Sequence, residues 1–131
     1  MRSTNDAGDQ GYVRWFDDKV LLLPEAVVQL KELPGALSSK MVVVLSRVAA
    51  GGGRLDPIQG ISEAKASVGN VTGRAFLKRI DGLFVIGGFM SKKSRGSGHA
   101  GDQTARALAA RALIEEYAKR VRLGVQDGPD V

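Results

Sequence analysis

The chain has 131 residues, of which 44% are hydrophobic and 25% are charged, a composition typical of a single globular domain. It contains no cysteine and one histidine, so disulfide bonds and zinc sites built from cysteine and histidine are excluded. No segment approaches the roughly 20 apolar residues of a membrane span, and the first residues lack the apolar core of a signal peptide. We therefore expect a cytoplasmic protein with a hydrophobic core.

Turn-forming residues divide the first half of the chain into a tail, a strand and two helices. Residues 1–11 are polar and predict a flexible tail, and the aromatic run Tyr12–Phe16 predicts a strand. Pro24 fits the first turn of a helix that stops at Pro34-Gly35, and Gly51–Gly53 end a second helix. Apolar residues recur in that second helix at helical spacing, at Leu37, Met41, Val44, Leu45 and Val48. Together the two helices predict an antiparallel hairpin.

The second half of the chain predicts a three-stranded meander followed by a helix. Three extended runs lie within residues 54–94, separated by the turn dipeptides Gly69-Asn70 and Asp81-Gly82. Asp102 is placed to cap the last helix. The apolar stripe of that helix is predicted at Ala105, Leu108, Ala109, Ala112, Leu113 and Tyr117, with Arg106, Arg111 and Lys119 outside it.

These elements predict one domain over residues 12–123. The order of strand, helical hairpin, meander and helix predicts an α+β fold, in which the helical hairpin packs on a small, mostly antiparallel twisted sheet with a C-terminal helix. Residues 124–131 are polar and predict a second flexible tail.

Positive charge is concentrated in the predicted meander. Between Lys65 and Arg95 there are seven basic side chains and one acid, Asp81, so this window has a net charge of +6, whereas the whole chain carries +5. An excess of charge confined to one segment predicts a surface that meets a partner of opposite charge.

The turn between the last two predicted strands sets a register in which Phe76 faces Gly87 and Arg74 faces Phe89. Arg74, Phe76, Lys78 and Phe89 then share one face, and the opposite face is apolar and suits packing against the helical hairpin. Cations beside aromatic rings suit RNA, because the cations neutralise phosphates and the rings stack on bases. In this interpretation Arg74 faces solvent. The alternative is that Phe76 and Phe89 belong to the core of a second layer and that the cations are only solvated.

Several motifs resemble those of a known family. "GISEAKAS" (Gly60–Ser67) is similar to a family strand that ends in Glu-x-basic, and "FMSKKS" (Phe89–Ser94) is similar to a Phe-x-Lys-Lys strand end. Arg74 stands where the family has a strand arginine. With the order of elements over most of the chain, these motifs resemble the RelE-like toxins of bacterial and phage toxin–antitoxin systems, particularly the HigB-like branch. Lys65 stands where the family commonly has arginine, and Gly87-Gly88 where a histidine or bulkier residue is common.

The resemblance implies a metal-independent endoribonuclease, without a cofactor, that cleaves messenger RNA on the ribosome and is silenced by a helix-turn-helix antitoxin. In such a reaction the RNA 2′-hydroxyl attacks the adjacent phosphate, which requires a proton acceptor, a proton donor and positive charge at the phosphate. The candidate catalytic residues are Lys65, Arg74, Lys78, Lys92 and His99. The candidate RNA-binding residues are Phe76, Arg79, Lys93 and Arg95.

His99 follows the basic strand end in the segment "RGSGHAGDQ", and histidine is the side chain that ordinarily titrates near neutral pH. It is therefore the candidate for acid or base catalysis, the alternative being an exposed loop histidine without a role. The glycines around it, Gly96, Gly98 and Gly101, are also compatible with a backbone anion site at the start of the last helix.

Two other function classes remain open. One is a ParE-like toxin of the same fold that poisons gyrase, and the other is a noncatalytic module that only binds nucleic acid or a partner. The fold alone does not separate these classes from the ribonuclease. The ordered set of Lys65, Arg74 and Lys92-Lys93 favours the ribonuclease.

Overall fold

The computed structural model describes residues 11–93 and 100–122, which form one six-stranded sheet and three helices. The strands are β1 (Val13–Trp15), β2 (Val20–Leu22), β3 (Asp56–Ile58), β4 (Ile61–Val68), β5 (Val71–Ile80) and β6 (Leu83–Lys93). The helices are α1 (Pro24–Lys31), α2 (Gly35–Ala49) and α3 (Ala100–Arg122). Apart from Gly11, the predicted tails lie outside the described residues, as do Arg95 and His99. Within the two described ranges, none of the helices combines the length and the apolar character that crossing a bilayer requires.

The predicted meander forms the centre of the sheet. β4, β5 and β6 are consecutive antiparallel neighbours, and the turns between them fall at Gly69-Asn70 and Asp81-Gly82, as predicted. Both residues of the second turn have positive φ, 52° at Asp81 and 83° at Gly82, which is the backbone of a tight hairpin turn. β2 and β3, which the sequence pattern does not indicate, widen the sheet to the order β1-β2-β6-β5-β4-β3. β2 pairs with β6 in parallel, and the other neighbours are antiparallel.

Helices cover both faces of the sheet. α1 and α2 bury one face, α1 mainly against β6 and α2 mainly against β4, and Met41 and Leu45 of α2 pack with Leu77 and Ile86 of the sheet. α3 covers the opposite face. The structure therefore confirms the α+β fold, with two N-terminal helices, a mostly antiparallel six-stranded sheet and a C-terminal helix.

α3 differs from the prediction in its start and in its buried side. The helix begins at Ala100, so Asp102 lies in its first turn instead of at the capping position. Ala107, Ala110 and Ile114 are the residues buried against the sheet. This helix carries alanine on several sides, so its apolar pattern does not identify the buried side, which is set by the close approach of Ala110 and Ile114 to Gly87 of β6. The predicted stripe is wrong at its exposed members, Ala105, Leu108, Ala109 and Ala112.

A β-bulge in β6 changes the register of the last hairpin. The pairs near the turn are as predicted, but Gly87 is an extra residue, so that Phe76 faces Gly88. A Cβ on Gly87 would lie 2.5 Å from the carbonyl oxygen of Ala110, so only glycine lets α3 come this close. The shift turns Phe89 toward α1 and α2, whereas Phe76 lies under α3. The prediction that the two rings share a face is wrong, because each ring is a core residue of a different layer.

Candidate active site

Alternate residues of β4 and β5 place charged side chains in neighbouring positions. Glu63 and Lys65 lie two residues apart on β4, and Lys65 is the direct cross-strand partner of Arg74 on β5. Arg74 Nη1 donates a hydrogen bond to Glu63 Oε2 at 2.5 Å, and Gln103 Nε2 of α3 donates to the same oxygen at 2.8 Å. The Glu63–Arg74 ion pair therefore lies between the sheet and α3. We call the side of the sheet that carries Glu63, Lys65 and Arg74 the charged face.

This ion pair is largely shielded from solvent. The side chain of Glu63 is 5% exposed and that of Arg74 is 22% exposed. A carboxylate at this depth is stable only when its oxygens are paired, and in the described part of the chain every buried side-chain nitrogen or oxygen has a hydrogen-bond partner. The expectation that Arg74 faces solvent is wrong, because its guanidinium is bonded to a carboxylate beneath α3.

The pattern of basic residues in the sequence does not identify Glu63, although Glu63 is central to the charged face. The sequence signal that could have identified Glu63 is the Glu-x-basic spacing in β4, because residues two apart on a strand share a face. The partner of Arg74 is decided by the register of β4 against β5, and this register joins segments on either side of a turn. The charge count over the basic window begins at Lys65 and so leaves Glu63 out.

Three of the predicted catalytic cations each contact a carboxylate. Besides Arg74, Lys65 Nζ lies 3.3 Å from Asp56 Oδ2, and Lys92 Nζ lies 2.7 Å from Asp102 Oδ2. These acids stand on either side of the basic window in sequence, so the window's net charge of +6 overstates the charge of the folded face. These three carboxylates compensate half of the predicted excess, from +6 to +3, once the chain folds.

Asp56 is held as a carboxylate by two cations. Arg54 Nε donates to Asp56 Oδ1 at 3.0 Å, and the Lys65 ammonium approaches the other oxygen. The hydrogen bond from Arg54, followed by that from Lys65, lowers the pKa of Asp56 below its ordinary value of 3.8. Lys65 is thereby engaged at β3, at the edge of the sheet.

The remaining candidates do not join the Glu63–Arg74 pair. Lys78 and Lys93 are exposed. Arg79 lies on the other face of β5, with its guanidinium carbon 5.1 Å from the centre of the Phe84 ring. Phe76 is fully buried, so the prediction that its ring is available to stack on an RNA base is wrong.

A cavity of about 360 Å³ lies between α1 and α3, over Gly87-Gly88. At its rim, Gln29 Oε1 accepts a hydrogen bond from the backbone nitrogen of Phe89 at 2.8 Å, and Arg106 Nη1 donates to the Phe89 carbonyl at 3.2 Å. These two side chains supply hydrogen bonds to the backbone of β6 beyond the last residue of β6 that pairs with β2. None of the four catalytic candidates in the described residues lines this cavity, so it is separate from the charged face.

Comparison of the chain with protein-family models, with curated proteins and with solved structures found no match. The resemblance to RelE-like toxins therefore stays a prediction from sequence motifs. The geometry of the charged face is an independent argument about function, because it depends only on the residues that the fold brings together.

Proposed function

We propose that this chain is a ribonuclease toxin that cleaves messenger RNA on the ribosome and is held inactive by an antitoxin. The observation that carries the proposal is the Glu63–Arg74 ion pair at the centre of the charged face. A carboxylate beside a guanidinium offers a proton acceptor and a planar donor that matches two phosphate oxygens. Both side chains stand on paired strands of one sheet, which hold a site more firmly than loops do.

The reaction that suits this pair is transesterification of RNA. The Glu63 carboxylate accepts the proton of the 2′-hydroxyl while that oxygen forms a bond to the adjacent phosphorus. Arg74 stabilises the charge on the non-bridging oxygens, and Lys65 and Lys92 add positive charge beside it. The bond from phosphorus to the 5′-oxygen then breaks, which leaves a 2′,3′-cyclic phosphate and a 5′-hydroxyl. His99 is the sequence candidate for the donor that protonates the leaving 5′-oxygen.

RNA reaches the pair only when the first turn of α3 moves aside. In this turn Gln103 is bonded to Glu63, and Asp102 is bonded to Lys92. The apolar contacts of this end of the helix come from Ala107, whose methyl group buries little area. The polar contacts therefore decide where this end of α3 rests, and a phosphate that binds the same cations competes with them.

The proposal is tested by cleavage assays on single-stranded RNA and on translating ribosomes, with analysis of the product ends. Glu63→Gln keeps the size of the side chain and still accepts a hydrogen bond from Arg74, so we expect folding to persist and cleavage to fall by about 10²–10⁴-fold. Glu115→Gln is the matched control, because Glu115 is exposed and pairs with Arg111 on the same helix. Equal cleavage by wild type and Glu63→Gln contradicts the proposal.

Controlled expression in bacteria separates this function from the other classes. The ribonuclease predicts that translation stops before DNA synthesis. An early DNA-damage response while translation continues contradicts the proposal and supports gyrase poisoning. Binding of RNA without cleavage, both free and on the ribosome, supports the noncatalytic module.

A further inference from the structure

A second group of cations surrounds a small cavity where the end of α2 meets β3 and β4. The cavity has a volume of about 190 Å³. It is lined by Val44, Arg47, Gly53, Arg54, Asp56 and Lys65. Neither Glu63 nor Arg74 lines it, so it is a separate site, which we call the Arg47 pocket.

The Arg47 pocket has an excess of positive charge in the folded chain. Arg54 and Lys65 share a single carboxylate, Asp56, at 3.0 Å and 3.3 Å. Arg47 is exposed in the last turn of α2 and makes no ion pair within the described residues. Three cations therefore surround one carboxylate, which leaves two positive charges in excess, whereas Arg74 and Lys92 beneath α3 each contact a carboxylate of their own. The pocket therefore carries a surplus of positive charge.

We propose that the Arg47 pocket binds a phosphate group supplied by the backbone of RNA. Guanidinium groups match pairs of phosphate oxygens, and this pocket offers two of them with an ammonium beside them. Asp56 holds Arg54 and Lys65 side by side at the pocket and neutralises only one of their two positive charges. The side chain of Arg54 is 85% exposed, so a ligand enters from solvent and α3 does not have to move.

The position of Lys65 connects the pocket to the reaction site. Lys65 lines the pocket and is also the direct cross-strand partner of Arg74. A nucleotide chain that crosses the Glu63–Arg74 pair therefore continues into the pocket, where it meets a second set of cations. The choice of RNA as the source of the phosphate rests on the proposed function, whereas the affinity for phosphate rests on the pocket alone.

The test measures binding of a single-stranded RNA whose 2′-hydroxyls are methylated, which prevents cleavage, at several salt concentrations. Each phosphate contact contributes a slope of about −0.7 to the plot of log affinity against log salt concentration. We expect Arg47→Gln/Arg54→Gln to flatten that slope by about 0.7 to 1.4 and to weaken binding several-fold at low salt. Lys31→Gln is the matched control, because Lys31 is an exposed cation in the last turn of α1, and it should leave the slope unchanged.

A second measurement follows the backbone amides of Gly53 and Lys65 by NMR during titration with inorganic phosphate. Shifts that disappear in Arg47→Gln/Arg54→Gln support a phosphate site. Such shifts together with an unchanged RNA slope assign the pocket to free phosphate and overturn its assignment to RNA. Absence of shifts in the wild type, with an unchanged RNA slope, overturns the site altogether.

The outcomes also separate this inference from the proposed function. A flattened slope in the double variant, with no cleavage of unmodified RNA by the wild type, supports the pocket and contradicts the ribonuclease. Normal cleavage by the wild type, with an unchanged slope in the double variant, supports the ribonuclease and overturns the pocket.

Discussion

Replacing Arg74 with alanine leaves the Glu63 carboxylate beneath α3 with one remaining side-chain donor, the amide of Gln103. Removing one partner of a buried ion pair costs about 3–5 kcal/mol in the free energy of unfolding. The side chain of Arg74 is 22% exposed, so water screens the pair in part, and we expect about 3 kcal/mol. For a chain of 131 residues, this loss lowers the thermal midpoint by about 10 °C.

The expected loss comes from the unpaired charge, so removing that charge should restore part of the stability. Glu63→Gln alone should cost about 1 kcal/mol, because glutamine still accepts a hydrogen bond from Arg74 and the guanidinium reaches water. The double variant Glu63→Gln/Arg74→Ala buries no unpaired charge. We expect it to be more stable than Arg74→Ala by about 1–2 kcal/mol, although it carries one more substitution.

Urea unfolding at neutral pH, followed by circular dichroism, measures these free energies for the wild type, the two single variants and the double variant. Glu115→Gln is the control, because it breaks an exposed pair between residues four apart on α3, and we expect a change of about 0.5 kcal/mol or less. The reasoning is refuted if Arg74→Ala is as stable as the control, or if the double variant is less stable than Arg74→Ala.

Two further predictions concern the contact of α3 with β6 and the edge of the sheet. Gly87→Ala should destabilise the protein in urea by about 1–3 kcal/mol, because its Cβ would lie 2.5 Å from a backbone oxygen, whereas Gly101→Ala has open space and should not. Asp56 has a lowered pKa in the fold, so its ionised form contributes stability that is present above pH 3.8 and is lost as the pH falls through the folded pKa. Asp56→Asn should therefore be less stable than the wild type at pH 7, and a difference that does not shrink as the pH falls below 3.8 contradicts this role.

The elements that the sequence predicts correctly depend on local chemistry. Asp81-Gly82 adopts the positive φ angles that a tight hairpin turn needs, and Pro24 occupies the first turn of α1. Gly51, with φ of 93°, follows the end of α2. The alternation of apolar side chains in β5 likewise identifies the face that packs against α1 and α2. Each of these signals lies within a few residues of the structure it predicts.

The features that the sequence does not indicate depend on contacts between distant segments. The bulge at Gly87 lies where Ala110 of α3 approaches β6 closely, and no local sequence pattern predicts an extra residue in β6. That single residue decides which layer receives the Phe89 ring. The carboxylates at Glu63 and Asp102 lie outside the basic window, so their pairing with its cations follows from strand register and from the position of α3. The cationic surface that the sequence predicts is therefore in part a set of ion pairs in the fold, while Lys78 and Lys93 remain exposed.

The two cationic sites differ in what a phosphate must displace. Beneath α3, a phosphate competes with Glu63 for Arg74 and with Asp102 for Lys92, and the residues of the first turn of α3 take part in both sets of contacts. Binding there and release of α3 are consequently one equilibrium. At the Arg47 pocket a phosphate meets cations that are already in surplus and exposed, so it binds without moving the helix. RNA should therefore bind first at the pocket and open the reaction site second, and a tether that holds the first turn of α3 on the sheet should block cleavage while leaving the salt dependence of the pocket intact.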